Sequence, residues 1–119
     1  MNIFNKLFKK YIQMEMNNGV KAYQNDINAI LLDVRRKDEY ESGHVPNAIQ
    51  YANEDIDIKI TNVLKDKNQN VYVYSRSGRR SKQAAQKLVD LGYKNIIEIG
   101  GILDYKGELV WFKWLKMNV

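Results

Sequence analysis

A chain of 119 residues fits one domain, able to bury about two-thirds of its unfolded surface in a single core, with no room for a second. Hydrophobic content of 45% with 28% charged residues excludes the disordered and membrane-embedded classes. The absence of cysteine excludes disulfides and thiolate metal sites, the lone His44 cannot build an imidazole cluster, and a formal charge of +5 mildly favours anionic ligands without choosing one.

The first segment carries Ile3, Phe4, Leu7, Phe8, Tyr11 and Ile12 at helical spacing with Lys6, Lys9 and Lys10 between them, an amphipathic stripe over residues 1–12. It is too interrupted for a signal-peptide core and far short of the roughly 20 residues that span a bilayer. Docking on the domain or on a partner is therefore expected, with no stable membrane insertion, in a cytoplasmic protein. Apolar, β-rich runs at 29–34, 71–74 and 96–99 read as buried strands. Helical spacing marks 20–25, 37–41, 56–64 and, most clearly, 79–91, with Gly92 as the stop. Gly100 and Gly101 break the chain after the third strand, and residues 108–117 read as a closing helix in which Trp111 and Trp114 serve packing. Alternating strands and helices imply an α/β fold with a mostly parallel sheet, helices on both faces and ligands beyond the carboxyl ends of the strands.

The chemistry concentrates where the second apolar strand ends in Ser75, Arg76, Ser77, Gly78, Arg79, Arg80 and Ser81. A strand that turns through a short basic loop into a helix aims backbone amides and the positive end of the helix dipole at one point, and Gly78 lets the backbone curl around a ligand. Arg76, Arg79, Arg80 and Lys82 deepen the positive potential over a side chain at position 75. The plain alternative is an ordinary turn with Ser77 or Ser81 as helix cap and solvated arginines. The spacing is not that of a nucleotide P-loop. The arginines lack the aromatic interleaving of a strand-tracking groove, so nucleic acid is not an expected partner.

This loop resembles the active-site loop of the rhodanese-like sulfurtransferases, Cys-Arg-Ser-Gly-x-Arg-Ser, and differs only in its first residue, Ser75. A second stretch, from Leu31-Leu32-Asp33-Val34-Arg35 to Gly43-His44-Val45-Pro46-Asn47-Ala48, is similar to the family's upstream strand and Gly-His-Ile-Pro-Gly-Ala turn, with Asn47 where glycine is usual. A third, Leu91-Gly92-Tyr93 and Gly100-Gly101-Ile102, resembles its downstream elements, with Tyr105 near a customary tryptophan. The resemblance implies a rhodanese-like three-layer α/β/α domain over residues 1–119. It also implies a reaction without cofactor, in which a cysteine thiolate takes sulfane sulfur from a small anionic donor such as thiosulfate and passes it, as a persulfide, to a thiol or cyanide acceptor. By position, Ser75 occupies the nucleophile's place, Arg76 and Arg80 steer the donor, and Ser77, Gly78, Arg79 and Ser81 supply the cradle. Asp33, Arg35, Glu41 and His44 support the loop, His44 as a turn-locking group rather than a base.

A serine hydroxyl holds its proton at neutral pH and forms no persulfide, so sulfur transfer through Ser75 is expected to fail. No histidine is placed to activate it, which argues against a serine hydrolase. The stretch from Ser75 to Arg80 is also shorter than the loop of the related cell-cycle phosphatases. Two readings remain open: an inactive cysteine-to-serine variant of a sulfurtransferase, or a naturally non-catalytic module that binds an anion or a protein.

Overall fold

The structure, a computed structural model, describes residues 11–111. Its elements run β1 (Ile12–Gln13), α1 (Met16–Gln24), β2 (Ile30–Asp33), α2 (Lys37–Ser42), β3 (Ile49–Gln50), two 3-10 turns (Asn53–Asp55 and Ile58–Asn62), β4 (Asn70–Ser75), α3 (Arg79–Asp90), β5 (Asn95–Gly101) and a last 3-10 turn (Ile102–Asp104). The strands form one parallel sheet in the order β1-β5-β4-β2-β3.

Period-two alternation along β4 sends Val71 and Val73 to one face and Tyr72 and Tyr74 to the other, and each face has its own core. On the first, Leu32, Val73 and Ile96 meet Ala84, Ala85 and Leu88 of α3 and Ile56, Ile60 and Leu64 of the connecting segment. On the second, Leu31, Tyr72 and Ile99 meet Met16 and Val20 of α1, together with Val45 and Ala48. The expected three-layer α/β/α arrangement is the one observed. No helix among the described residues is long and apolar enough to cross a membrane.

The central strands and α3 match the sequence reading to within about two residues, and the departures have local causes. Helix α1 begins at Met16 rather than residue 20, because Glu15 accepts from the amides of Asn17 and Asn18 and so caps a start of low helix propensity. Residues 56–64 keep the apolar spacing but form 3-10 turns instead of an α-helix. Ile58, Ile60, Thr61 and Val63 are β-branched, and the Asp57 carboxylate captures the Lys59 amide in a local turn. The helical stripe expected over residues 1–12 fails at its described end, where Ile12 is a strand residue paired with Ile97, and its remainder lies outside the described residues. The expected closing helix is absent up to Trp111. Val110 instead forms an antiparallel bridge to His44, and residues 112–119 lie outside the described residues.

Candidate functional site

The site is built where β4 and β5 end side by side. Ser75 is the last residue of β4 and is completely buried. The chain then turns through Gly78, whose φ of 100° lies in the left-handed region, and enters α3 at Arg79. Gly101 makes the second condition of this turn. A Cβ there would sit 2.2 Å from the Arg76 carbonyl oxygen, so only glycine lets β5 run this close beneath the loop. The Leu103 amide also donates to that carbonyl at 3.1 Å, and the loop is thereby pinned to the segment after β5.

The cap of α3 is neither Ser77 nor Ser81. Gly78 stands at the N-cap position and offers no side chain, and the cap is Ser75 itself, reaching in from the preceding strand. Its Oγ accepts from the amides of Gly78 and Ser81, each at 3.1 Å, and donates to Ser81 Oγ at 3.1 Å. Ser81 Oγ in turn lies 2.5 Å from Glu98 Oε2. Glu98, on β5, is almost fully buried. It accepts further from the Gly100 amide at 2.8 Å and the Gln13 side-chain amide at 3.2 Å. Among the described residues no cation lies within ion-pair distance of it.

The basic side chains divide. Arg76, Arg79 and Lys82 are exposed and make no ion pair among the described residues, while Ser77 is exposed at the rim. Arg80 turns away into a two-pronged pair with Glu39 of α2, at 2.6 and 2.9 Å. The Arg80 hydrogen bonds hold the Glu39 carboxyl down at about 2, and Glu39 in return raises the Arg80 guanidinium. The acid of α2 that reaches the loop is therefore Glu39. Glu41, expected in that role, lies exposed with no side-chain hydrogen bond or ion pair among the described residues, because two residues of helix rotate it to the outer face.

On the opposite face of β4, Asp33 and Arg35 form a buried pair at 2.7 Å. Arg35 also donates to the Gly43 carbonyl at 2.7 Å, and Asp33 accepts from Tyr74 Oη at 2.7 Å. Tyr74 Oη accepts from the Val45 amide at 3.1 Å, so the pair ties the residue next to Ser75 to the 43–45 turn. Burial and the adjacent Asp33 charge push the Tyr74 phenol far up, which keeps it a donor. His44 sits in that turn with Nδ1 2.8 Å from the Tyr40 carbonyl and its ring stacked on Tyr40, away from the loop. Asn47 takes φ 70°, a conformation asparagine tolerates where the family usually has glycine.

The sequence reading missed Glu39, Tyr74 and Glu98. A charged residue interrupting the apolar run of 96–99 was a usable signal for Glu98. The pairing of Glu39 with Arg80 across 41 residues left no local trace.

The model of the rhodanese-like domain matches residues 16–108. This chain belongs to the rhodanese-like family. The thiosulfate sulfurtransferase PspE of Escherichia coli is 36% identical over 73 residues, which cover 61% of this chain and 70% of that protein. The putative sulfur carrier protein YrkF of Bacillus subtilis is 34% identical over 79 residues, and the adenylyltransferase and sulfurtransferase UBA4 of Debaryomyces hansenii is 35% identical over 109. The rhodanese-like chain spans only 42% and 24% of the lengths of these two larger proteins. Among solved structures, a rhodanese with anions from E. coli superposes with TM-score 0.63 at 33% identity, covering 70% of this chain and 98% of that one.

Proposed function

We propose that this rhodanese-like domain is built to bind a small anionic sulfur donor, such as thiosulfate, over position 75. From there a cysteine would transfer sulfane sulfur to a thiol or cyanide acceptor, and with Ser75 in place the domain does not turn over. One observation carries the reading: two backbone amides at the start of α3 converge on the side-chain atom of residue 75, in a loop otherwise matching the family's. Donors in that geometry stabilise a thiolate and then the terminal sulfur of a persulfide, as a helix N-terminus does for reactive cysteines. The exposed Arg76 and Arg79 are the cations available to a dianionic donor, whereas Arg80 is committed to Glu39 and acts on the loop's shape. The likeness to a named thiosulfate sulfurtransferase supports the donor class.

The test is Ser75→Cys assayed for thiosulfate-to-cyanide transfer beside the unaltered chain, with mass spectrometry for the gain of one sulfur atom. Turnover and adduct in the variant alone uphold the reading. A folded variant inert with several sulfane donors removes it.

The second reading, a naturally non-catalytic module, is favoured by one feature. Ser75, Ser81 and Glu98 form a hydrogen-bonded series in which a hydroxyl at 75 is fully satisfied. Anion or partner binding by the unaltered chain, without turnover of the variant, is the result that selects it.

A further inference from the structure

A buried carboxylate ordinarily has a cation beside it, because transfer of an isolated charge out of water is costly. Among the described residues Glu98 has three neutral donors instead, and it lies directly beneath a loop shaped to hold an anion. Its Oε2 is 3.9 Å from where a Cβ on Gly78 would stand. The described elements around it add to the same picture. Gln13 of β1 is neutral, Tyr11 just before β1 brings a phenol to the same core, and Val73 of β4 is its neighbour in register. The first turn of α3 contributes Ser81 and a partial positive charge, with Arg79 and Lys82 exposed and Arg80 turned to Glu39.

Ser81 has one hydroxyl proton and four acceptors within reach: Glu98 Oε2 at 2.5 Å, the Gly78 carbonyl at 3.0 Å, Ser75 Oγ at 3.1 Å and the Gly100 carbonyl at 3.3 Å. With Glu98 ionised, that proton goes to the carboxylate, so Ser81 Oγ can only accept from residue 75. The side chain at 75 must then carry its own proton. A thiolate at 75 reverses the demand, since beyond its two backbone amides it can accept from Ser81 as well, and drawing that proton leaves the buried carboxylate without its shortest hydrogen bond.

We propose that Glu98 is a positioning residue that shares a single negative charge with position 75, which is why the present site suits a hydroxyl. When a thiol at 75 ionises, its S–H bond breaks and that proton passes to Ser81 Oγ. Ser81 gives its own proton to Glu98 Oε2, so the site holds one negative charge, on carboxylate or on sulfur; with glutamine at 98 the thiol gives its proton to solvent and no rival charge opposes it. This rests on the sulfurtransferase reading of the loop and adds the residue that sets how readily a nucleophile there ionises.

The experiment compares Ser75→Cys with the double variant carrying Glu98→Gln, following thiolate absorbance against pH. Removing the competing charge is expected to raise the thiolate fraction at neutral pH about tenfold. An equal or smaller thiolate fraction in the double variant overturns the proposal. Should Glu98→Gln fail to fold, carbon-13 NMR of the Glu98 carboxyl in Ser75→Cys alone reads the same coupling from the other side. A carboxyl resonance that moves as the thiol titrates supports it, and one that stays flat overturns it. Sulfur transfer is read separately. A Ser75→Cys protein inert toward thiosulfate whose thiol still responds to Glu98→Gln loses the sulfurtransferase reading and keeps this one.

Discussion

Two buried acids flank the end of β4, and the protein treats them differently. Asp33, on the α1 face, is matched by Arg35 and by Tyr74, and its network closes on the 43–45 turn. Glu98, on the α3 face, has only neutral donors among the described residues and touches the loop through Ser81. The first arrangement is complete without a ligand, since charge, hydrogen bonds and backbone are satisfied among themselves. The second leaves one negative charge whose partner is set by what position 75 carries. Burial of an acid therefore does not by itself mark a scaffold or a site; the nature of its donors does.

The sharpest way to break this contrast is Arg35→Ala, which leaves Asp33 charged and unpaired in the core and is expected to destabilise the fold by about 3–5 kcal/mol in urea unfolding. The Arg35 guanidinium loses solvation by burial, and the Asp33 hydrogen bond and charge outweigh that loss and raise it, so the guanidinium stays charged. A loss under about 1 kcal/mol would mean that the Asp33 side is no more complete than the Glu98 side. Next in size is the pair at the rim of the loop. Glu39 titrates near 2 when folded against 4.5 when unfolded, so its stabilisation is present above about 4.5 and is lost as pH falls through 2. Glu39→Gln should remove about 1–2 kcal/mol of that acid dependence, less than full linkage because the side chains of Arg80 and Glu39 stay 25% and 13% exposed. Unfolding curves of both proteins between pH 2 and about 6 check the sign, since the unaltered chain should weaken more steeply on acidification than the variant.

Glu98→Gln in the unaltered chain should change stability by less than about 1 kcal/mol, because the amide oxygen can take the Ser81 and Gly100 donors while Gln13 turns to face the new amide group. A loss comparable to that of Arg35→Ala would erase the distinction between the two acids. Smallest is Asn47→Gly. The φ of 70° there suits glycine better, and a gain of a few tenths of a kcal/mol in thermal unfolding is expected. A loss would show that the Asn47 side chain contributes more than its backbone strain.

What was legible in the sequence follows from how local its cause is. The β4-to-α3 turn was readable because an apolar run, a basic loop, a glycine and an amphipathic helix are contiguous. Strands β1 and β3 were not, since two residues each carry no alternation and exist only through pairing with β5 and β2. The cap on α3 was sought in Ser77 and Ser81, nearby in sequence, and came from Ser75 at the end of the strand. Choosing between Glu39 and Glu41 required the orientation of a six-residue helix, which composition does not give.

The pairing of β1 with β5 bears on how the molecule is assembled. Gln13 meets Glu98 across 85 residues of chain, so the first described strand closes on the last described one. Such a sheet cannot be finished while its later half is still being synthesised, and closing so long a loop is a late and slow event in folding. The Gln13 donor reaches Glu98 only at that closure. Until then the acid beneath the loop lacks one of its described partners, and the site takes its final polarity with that pairing.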